Sequence, residues 1–126
     1  MTHPIVVLQA ALVAALRAES GPPVFDAPPR DSTPPYVTIA RHDVLSRDGD
    51  GTPGHEHRLV LHVWAADASR KAVLATTGEV VEIALGIASD DLAITLRRHD
   101  RTDTAIDAST GRARAAIALT YFTEPN

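Results

Sequence analysis

The six histidines are the side chains of this sequence most able to do chemistry, because imidazole is the commonest metal ligand in proteins. His55 and His57 would lie on the same side of a strand and present two imidazoles together. His62 has the opposite parity and points to the other side. Further candidate ligands lie earlier in the chain: His42, Asp48 and Asp50. Histidines beside a glycine-rich loop are more often solvated than ligating, so we predict no metal site and no cofactor.

Enzyme motifs are missing from the sequence. It contains no cysteine, no Gly-x-Ser-x-Gly elbow, no Walker-type phosphate loop and no Gly-x-Gly-x-x-Gly turn. The adjacent acids Asp90 and Asp91 fall between a predicted helix and a predicted strand, where they most simply solvate a turn. We therefore predict no catalytic residues and a protein that is not an enzyme.

Charged residues gather in two segments that are candidates for protein contacts. The final predicted hairpin is rich in arginine: Arg97, Arg98, Arg101, Arg112 and Arg114. This group is either a docking patch or a solvated face balanced by neighbouring aspartates, and the second account is the simpler one. We predict contacts with partner proteins at the glycine-rich loop and at this hairpin: Arg47, Asp48, Asp50, His55, Arg112 and Arg114.

The composition is that of one small globular domain. The chain has 126 residues, of which 44% are hydrophobic and 22% charged. A net charge of −4 argues against general affinity for phosphate backbones, so any contact with DNA should be passive. The longest apolar segment, from Ile5 to Leu16, is too short to cross a bilayer, and positive charge follows it rather than precedes it. We predict neither membrane insertion nor export, and a cytosolic setting.

Two helices are predicted. The first runs from Pro4 to about Glu19 and is apolar nearly all round, so either a neighbouring subunit covers part of it or its alanines are exposed. The second begins after Asp67 or Ser69 and runs to about Ala88. Its predicted core stripe is read from helical spacing: Leu74, Gly78, Val81, Leu85 and Ala88. Gly78 on that stripe would let the helix approach the sheet closely.

Alternating polarity predicts four strands. They are Tyr36 to about Leu45, Glu56 to Ala65, Leu92 toward Asp107, and Arg112 to Thr123. Residues 19–35 form a proline-rich connector in which prolines deny strand pairing, and residues 46–55 form a flexible loop. The predicted fold is α+β, with residues 1–126 as a single domain in the order helix-β-β-helix-β-β. It has a four-stranded, mainly antiparallel sheet carrying both helices on one face.

Four segments taken in order resemble one family. They are Leu8-Gln9-Ala10-Ala11-Leu12, Val24-Phe25-Asp26-Ala27-Pro28-Pro29-Arg30, Pro35-Tyr36-Val37-Thr38-Ile39 and His57-Arg58-Leu59-Val60-Leu61-His62-Val63-Trp64. The chain resembles the tail-completion family of siphophage-type tails, including the tails of alphaproteobacterial gene transfer agents. Two features depart from the pattern: Ala40 stands where glycine is common, and the second helix carries Thr76-Thr77-Gly78.

The resemblance implies a structural role in assembly. Members would form a hexameric ring that ends growth of the tail tube and joins the tube to the head-side connector, with DNA passing through the bore. The implied location is the bacterial cytoplasm during assembly and then the tail of the particle. The alternative is a small-molecule or metal-binding α+β module, motivated by the histidines and by the mixed sheet face around Trp64.

Overall fold

The structure, a computed structural model, describes residues 3–27, 33–47, 53–66 and 68–125. Its elements are α1 (Pro4–Glu19), β1 (Val24–Phe25), β2 (Tyr36–Ser46), β3 (His55–Trp64), α2 (Arg70–Ala84), β4 (Leu92–Ile106) and β5 (Ala113–Pro125). The strands form one five-stranded sheet in the order β1-β2-β3-β5-β4. β1 pairs with β2 in parallel, and the other neighbours are antiparallel. The α+β class and the single domain are confirmed.

The prediction of a four-stranded sheet was wrong because of β1. Val24 and Phe25 lie inside the connector that was predicted to form no strand, and they pair with Val37 and Thr38. Proline lacks the backbone donor but keeps its carbonyl acceptor, and the Val37 N–H donates to the Pro23 carbonyl at 2.9 Å. A two-residue strand at the sheet edge therefore forms directly after a proline.

Helix α1 has the predicted bounds. The His3 side chain caps it, since its Nδ1 accepts a hydrogen bond from the Ile5 N–H at 3.1 Å. Leu8, Leu12 and Leu16 are fully buried and form the stripe that faces the sheet. The opposite side of α1 is apolar but exposed.

Helix α2 is shorter than predicted and is rotated by about one residue. Ser69 caps it, and its Oγ accepts from the Ala72 N–H at 3.1 Å. Leu74 is 46% exposed, and Gly78 is exposed with nothing within 4 Å of an added Cβ, so the predicted stripe and the close approach at Gly78 were wrong. The buried stripe instead includes a polar residue, Thr77, whose hydroxyl donates to the Val73 carbonyl within the helix at 2.7 Å. Asp67, the alternative cap, lies outside the described residues.

Both helices pack on one face of the sheet. The buried strand residues of this face alternate along β2, β3 and β5: Val37, Ile39, His57, Leu59, Leu61, Val63, Ala115, Ile117, Leu119 and Tyr121. The buried Tyr121 hydroxyl donates to the Ala84 carbonyl at 2.7 Å, which ties β5 to the end of α2. Neither described helix is both long and apolar enough to cross a bilayer.

Candidate interaction surface

The second sheet face carries no described helix. Directly opposite residues of antiparallel strands share a face, and the register places Val60 opposite Arg41 and Ala118. We call this surface the open face, and its middle consists of half-buried, largely apolar side chains: Val60, His62, Trp64, Ala116, Ala118 and Phe122. Half-buried apolar side chains on an uncovered sheet are the pattern expected of a surface that meets another protein.

Arginine and acid pairs surround that apolar middle. In each pair the two residues are two positions apart on one strand: Arg41 with Asp43, Arg58 with Glu56, Arg98 with Asp100, and Arg101 with Asp103. A shallow groove of about 420 Å³ crosses the face between Arg41, Val60, Arg98 and Thr120. Since each of these arginines has a carboxylate partner on its own strand, the face has many charges but a small net charge.

Glu56 is the most enclosed acid of the open face. Its side chain is only 4% exposed because two flexible arginines cover it. Arg58 Nε donates to one carboxylate oxygen at 2.6 Å, and Arg47 Nε donates to the other at 2.8 Å. The hydrogen bonds from Arg58 and then Arg47 hold the pKa of Glu56 below its ordinary value. Arg47 also donates its backbone N–H to the Gly54 carbonyl, so this cluster closes the base of the glycine-rich loop.

Arg114 is incompletely paired at the other end of the open face. Its Nε is buried and has no hydrogen-bond partner among the described residues, while its Nη2 lies 3.9 Å from an Asp103 oxygen. A cavity of about 80 Å³ lies beside it, lined by Trp64, Ala105 and Asp107. The side chain as a whole is 30% exposed and its one ion pair is long, so the outer part of the guanidinium is suited to an acceptor from another molecule.

The helix-covered face contains a chain of hydrogen bonds through two histidines. Gln9 Nε2 lies 3.1 Å from His42 Nδ1, His42 Nε2 lies 2.9 Å from His57 Nδ1, and His57 Nε2 lies 3.0 Å from Thr123 Oγ1. Because the Gln9 amide nitrogen is a donor, each histidine accepts at Nδ1 and donates from Nε2. Both imidazoles are therefore neutral, and burial lowers the pKa of each to about 4.

This chain of hydrogen bonds occupies the ring nitrogens of both buried histidines. The ring nitrogens of His42 and His57 are all engaged, and His62 lies on the open face as its parity predicts. Among the residues that the structure describes, no group of three histidines or acids is placed to hold a metal ion.

The residues predicted to contact partners do not form one patch. Arg47 belongs to the Glu56 cluster, His55 begins β3 on the helix-covered face, Arg112 follows the β4–β5 turn, and Arg114 lies on the open face. Asp48 and Asp50 lie outside the described residues. Contacts with partner proteins stay a prediction for all six residues.

The predicted arginine cluster of the last hairpin is divided between the two faces. Arg97 lies on the helix-covered face, where its Nε donates to the Ile87 carbonyl at 2.8 Å. Arg98 and Arg101 are paired with Asp100 and Asp103, as a face balanced by aspartates requires. The alternation of strands places consecutive arginines on opposite sides, so a single basic patch does not form.

Sequence reasoning anticipated the pairs of β4 but missed the open-face pairs of β2 and β3 and the hydrogen-bonded histidines. The pairs have a readable signal, because an arginine and an acid two positions apart on a strand share a face. The histidine chain has no such signal, since Gln9, His42, His57 and Thr123 come from four different elements.

Comparison with known proteins identifies the family. The sequence model described as "Tail completion protein gp17" matches residues 6–117, which is most of the chain. The chain belongs to this tail completion family. Family membership gives it a structural role in a phage-type tail, as the resemblance predicted.

The fold agrees with that assignment. The chain is similar to a chain in the solved structure "Virion of native gene transfer agent (GTA) particle", with a TM-score of 0.84 and 21% identity over 98% of this chain and 99% of that one. At this identity the likeness concerns the fold alone. No curated protein matches the sequence.

Proposed function

We propose that this tail completion protein is a tail terminator, which closes the end of the tail tube as a hexameric ring and joins the tube to the head-side connector. The observation that carries the proposal is the family match over residues 6–117. The fold shared with a chain of a gene transfer agent particle supports it.

The exposed apolar surfaces of the subunit support assembly with further copies. The open face is half-buried and largely apolar, and on the other side of the molecule α1 exposes Val6, at 57%, together with Ala10 and Ala14. Apolar surfaces on opposite sides of one subunit suit head-to-tail contacts, and a rotation that closes such contacts gives a ring without fibre growth.

The charge distribution supports passage of DNA through the ring without specific binding. The chain carries a net charge of −4, and most arginines of the open face already have carboxylate partners. Few unpaired cations remain to release counterions from a phosphate backbone, so a passing duplex would be held weakly. We propose assembly in the bacterial cytoplasm and then a place in the tail.

The proposed protein partners are the tail-tube protein and the head-side connector. Arg47, Asp48, Asp50, His55, Arg112 and Arg114 are the proposed contact residues. Arg114 is the best placed of the described ones, because it lies on the open face, is 30% exposed and has only a long ion pair, 3.9 Å, with Asp103.

A tube-length assay tests the function. Purified tail-tube protein is polymerised with increasing amounts of this chain, and tube lengths are measured by electron microscopy. We expect tubes to shorten as the chain is added, whereas an equal mass of an unrelated acidic protein of similar size should leave lengths unchanged. A length distribution that does not respond to saturating chain would contradict the proposal.

A further inference from the structure

The charges of α2 are arranged against its dipole. A helix favours acids near its N-terminus and cations near its C-terminus. α2 instead begins with Arg70 and Lys71, has no acid in its first turn and no basic residue in its last, and carries Glu79 and Glu82 in its second half. This arrangement destabilises an isolated helix, so folding alone does not account for it.

The two glutamates of α2 border a groove at the C-terminal ends of both helices. Glu19, the last residue of α1, lies on the same groove, which has a volume of about 370 Å³ and an apolar part formed by Ala15 and Ile83. None of the three carboxylates forms a salt bridge with a residue in the described part of the chain. We call this surface the carboxylate groove.

The open face has the complementary character, although its net charge is small, because its arginines are more exposed than the carboxylates with which they pair: Asp43 is 47%, Glu56 4% and Asp100 31% exposed. It has an apolar middle with exposed arginines around it, and the side chains of Arg41, Arg58 and Arg98 are 71%, 58% and 55% exposed. Arg114 adds a partly exposed guanidinium whose ion pair with Asp103 is long, at 3.9 Å. The open face and the carboxylate groove lie on opposite sides of the molecule, because the helices pack on the other face of the sheet.

We propose that the open face of one copy receives the carboxylate groove of the next copy, with Glu79 and Glu82 meeting the arginines around Val60 and Ala118. The inference rests on the proposed ring and deepens it by naming the two surfaces that join. The occupant is a second copy because the chain itself carries the complementary acidic and apolar surface. Unlike surfaces on opposite sides make the contact head to tail, which is the geometry that closes into a ring.

Charge reversal of each surface tests the contact. One variant carries Arg41→Glu and Arg98→Glu, which makes the open face acidic. The other carries Glu79→Lys and Glu82→Lys, which makes the groove basic. Each variant alone then opposes like charges at every contact, whereas a 1:1 mixture restores opposite charges at both kinds of contact in an alternating ring. The control carries Asp26→Lys and Asp91→Lys, which changes the net charge as the groove variant does but alters exposed loop residues that line neither surface.

Assembly is measured by light scattering, alone and with tail-tube protein, and the melting temperature of each variant is measured in parallel. We expect each variant alone to lose the ring, and the mixture and the control to form it. The groove variant should melt at the same or a higher temperature, because cations in the second half of α2 agree with the helix dipole. Rings formed by either variant alone, or a mixture that stays monomeric, would overturn the interface. A wild-type chain that never assembles, even with tube protein, would instead refute the proposed function and the interface with it.

Discussion

Protonation of the hydrogen-bonded histidines should couple folding to pH. Within the fold the pKa values of His42 and His57 are about 4, and burial is the main cause for both. Asp43 raises the pKa of His42 and His3 lowers it. After burial, the pKa of His57 is lowered by His42, then by His55 and His3. A second proton on either ring would place two N–H groups against each other in the chain of hydrogen bonds, so the native state resists it.

The sign and the size of the effect follow from linkage. Between the ordinary histidine pKa of 6.5 and the native value of about 4, the unfolded chain binds more protons than the native one. The stabilisation is fully present above pH 6.5 and is lost as the pH falls toward 4. For one histidine, lowering the pH from 7 to 5 costs about 2 kcal/mol of unfolding free energy. Because His42 is partly exposed, we expect a loss closer to this figure than to twice it.

Urea unfolding followed by Trp64 fluorescence measures the loss. The wild type is compared at pH 7 and pH 5 with His57→Gln, which should be less stable at pH 7 but lose less on acidification. His99→Gln is the control, because His99 is exposed on the edge strand β4 and lies outside the histidine chain. Burial also lowers the pKa of His62, which adds to the wild-type slope and remains in the variant. Equal stability of the wild type at the two pH values, or an unchanged slope in His57→Gln, would refute the reasoning.

Five further substitutions test the packing and the ion pairs. Gly78→Ala should raise the unfolding free energy by about 1 kcal/mol, because the position is exposed and helical. Gly54→Ala should lower the unfolding free energy, because the added Cβ would lie 2.8 Å from the Arg47 carbonyl oxygen. Urea titration measures both changes and their opposite signs. Tyr121→Phe should cost about 1 kcal/mol in the same assay, since it leaves a buried carbonyl at the end of α2 without its donor. Glu56→Gln should lower the melting temperature more than Asp43→Asn, because Glu56 holds two arginines and is nearly covered, while the Asp43 pair is exposed.

Much of the fold could be predicted because strand alternation and helix spacing are strong local signals. β2 to β5 and α1 have nearly the predicted bounds, since each is long enough to show its period. β1 could not be predicted, because two residues show no period and the adjacent prolines argue against a strand. The rotation of α2 was missed because a polar residue, Thr77, lies on the buried stripe. Its burial is possible because its hydroxyl donates a hydrogen bond to a carbonyl within the helix.

The interaction surface was only partly predictable, because contact across strands depends on register. Alternation correctly separated the two sides of β3, and it indicated a mixed face around Trp64. It gave no reason to expect Glu56 to be buried, since the two arginines that cover it come from different positions of a hairpin. The carboxylate groove likewise required the relative placement of the ends of both helices.

This protein is proposed to end a tail tube as a ring of its own copies. Cryo-electron microscopy of tubes assembled from tail-tube protein and this chain tests it most directly. We predict one ring of the chain at a single end of each tube, with the open face of every copy covered by its neighbour. Copies distributed along the tube wall, or tubes whose ends carry none of the chain, would contradict the claim.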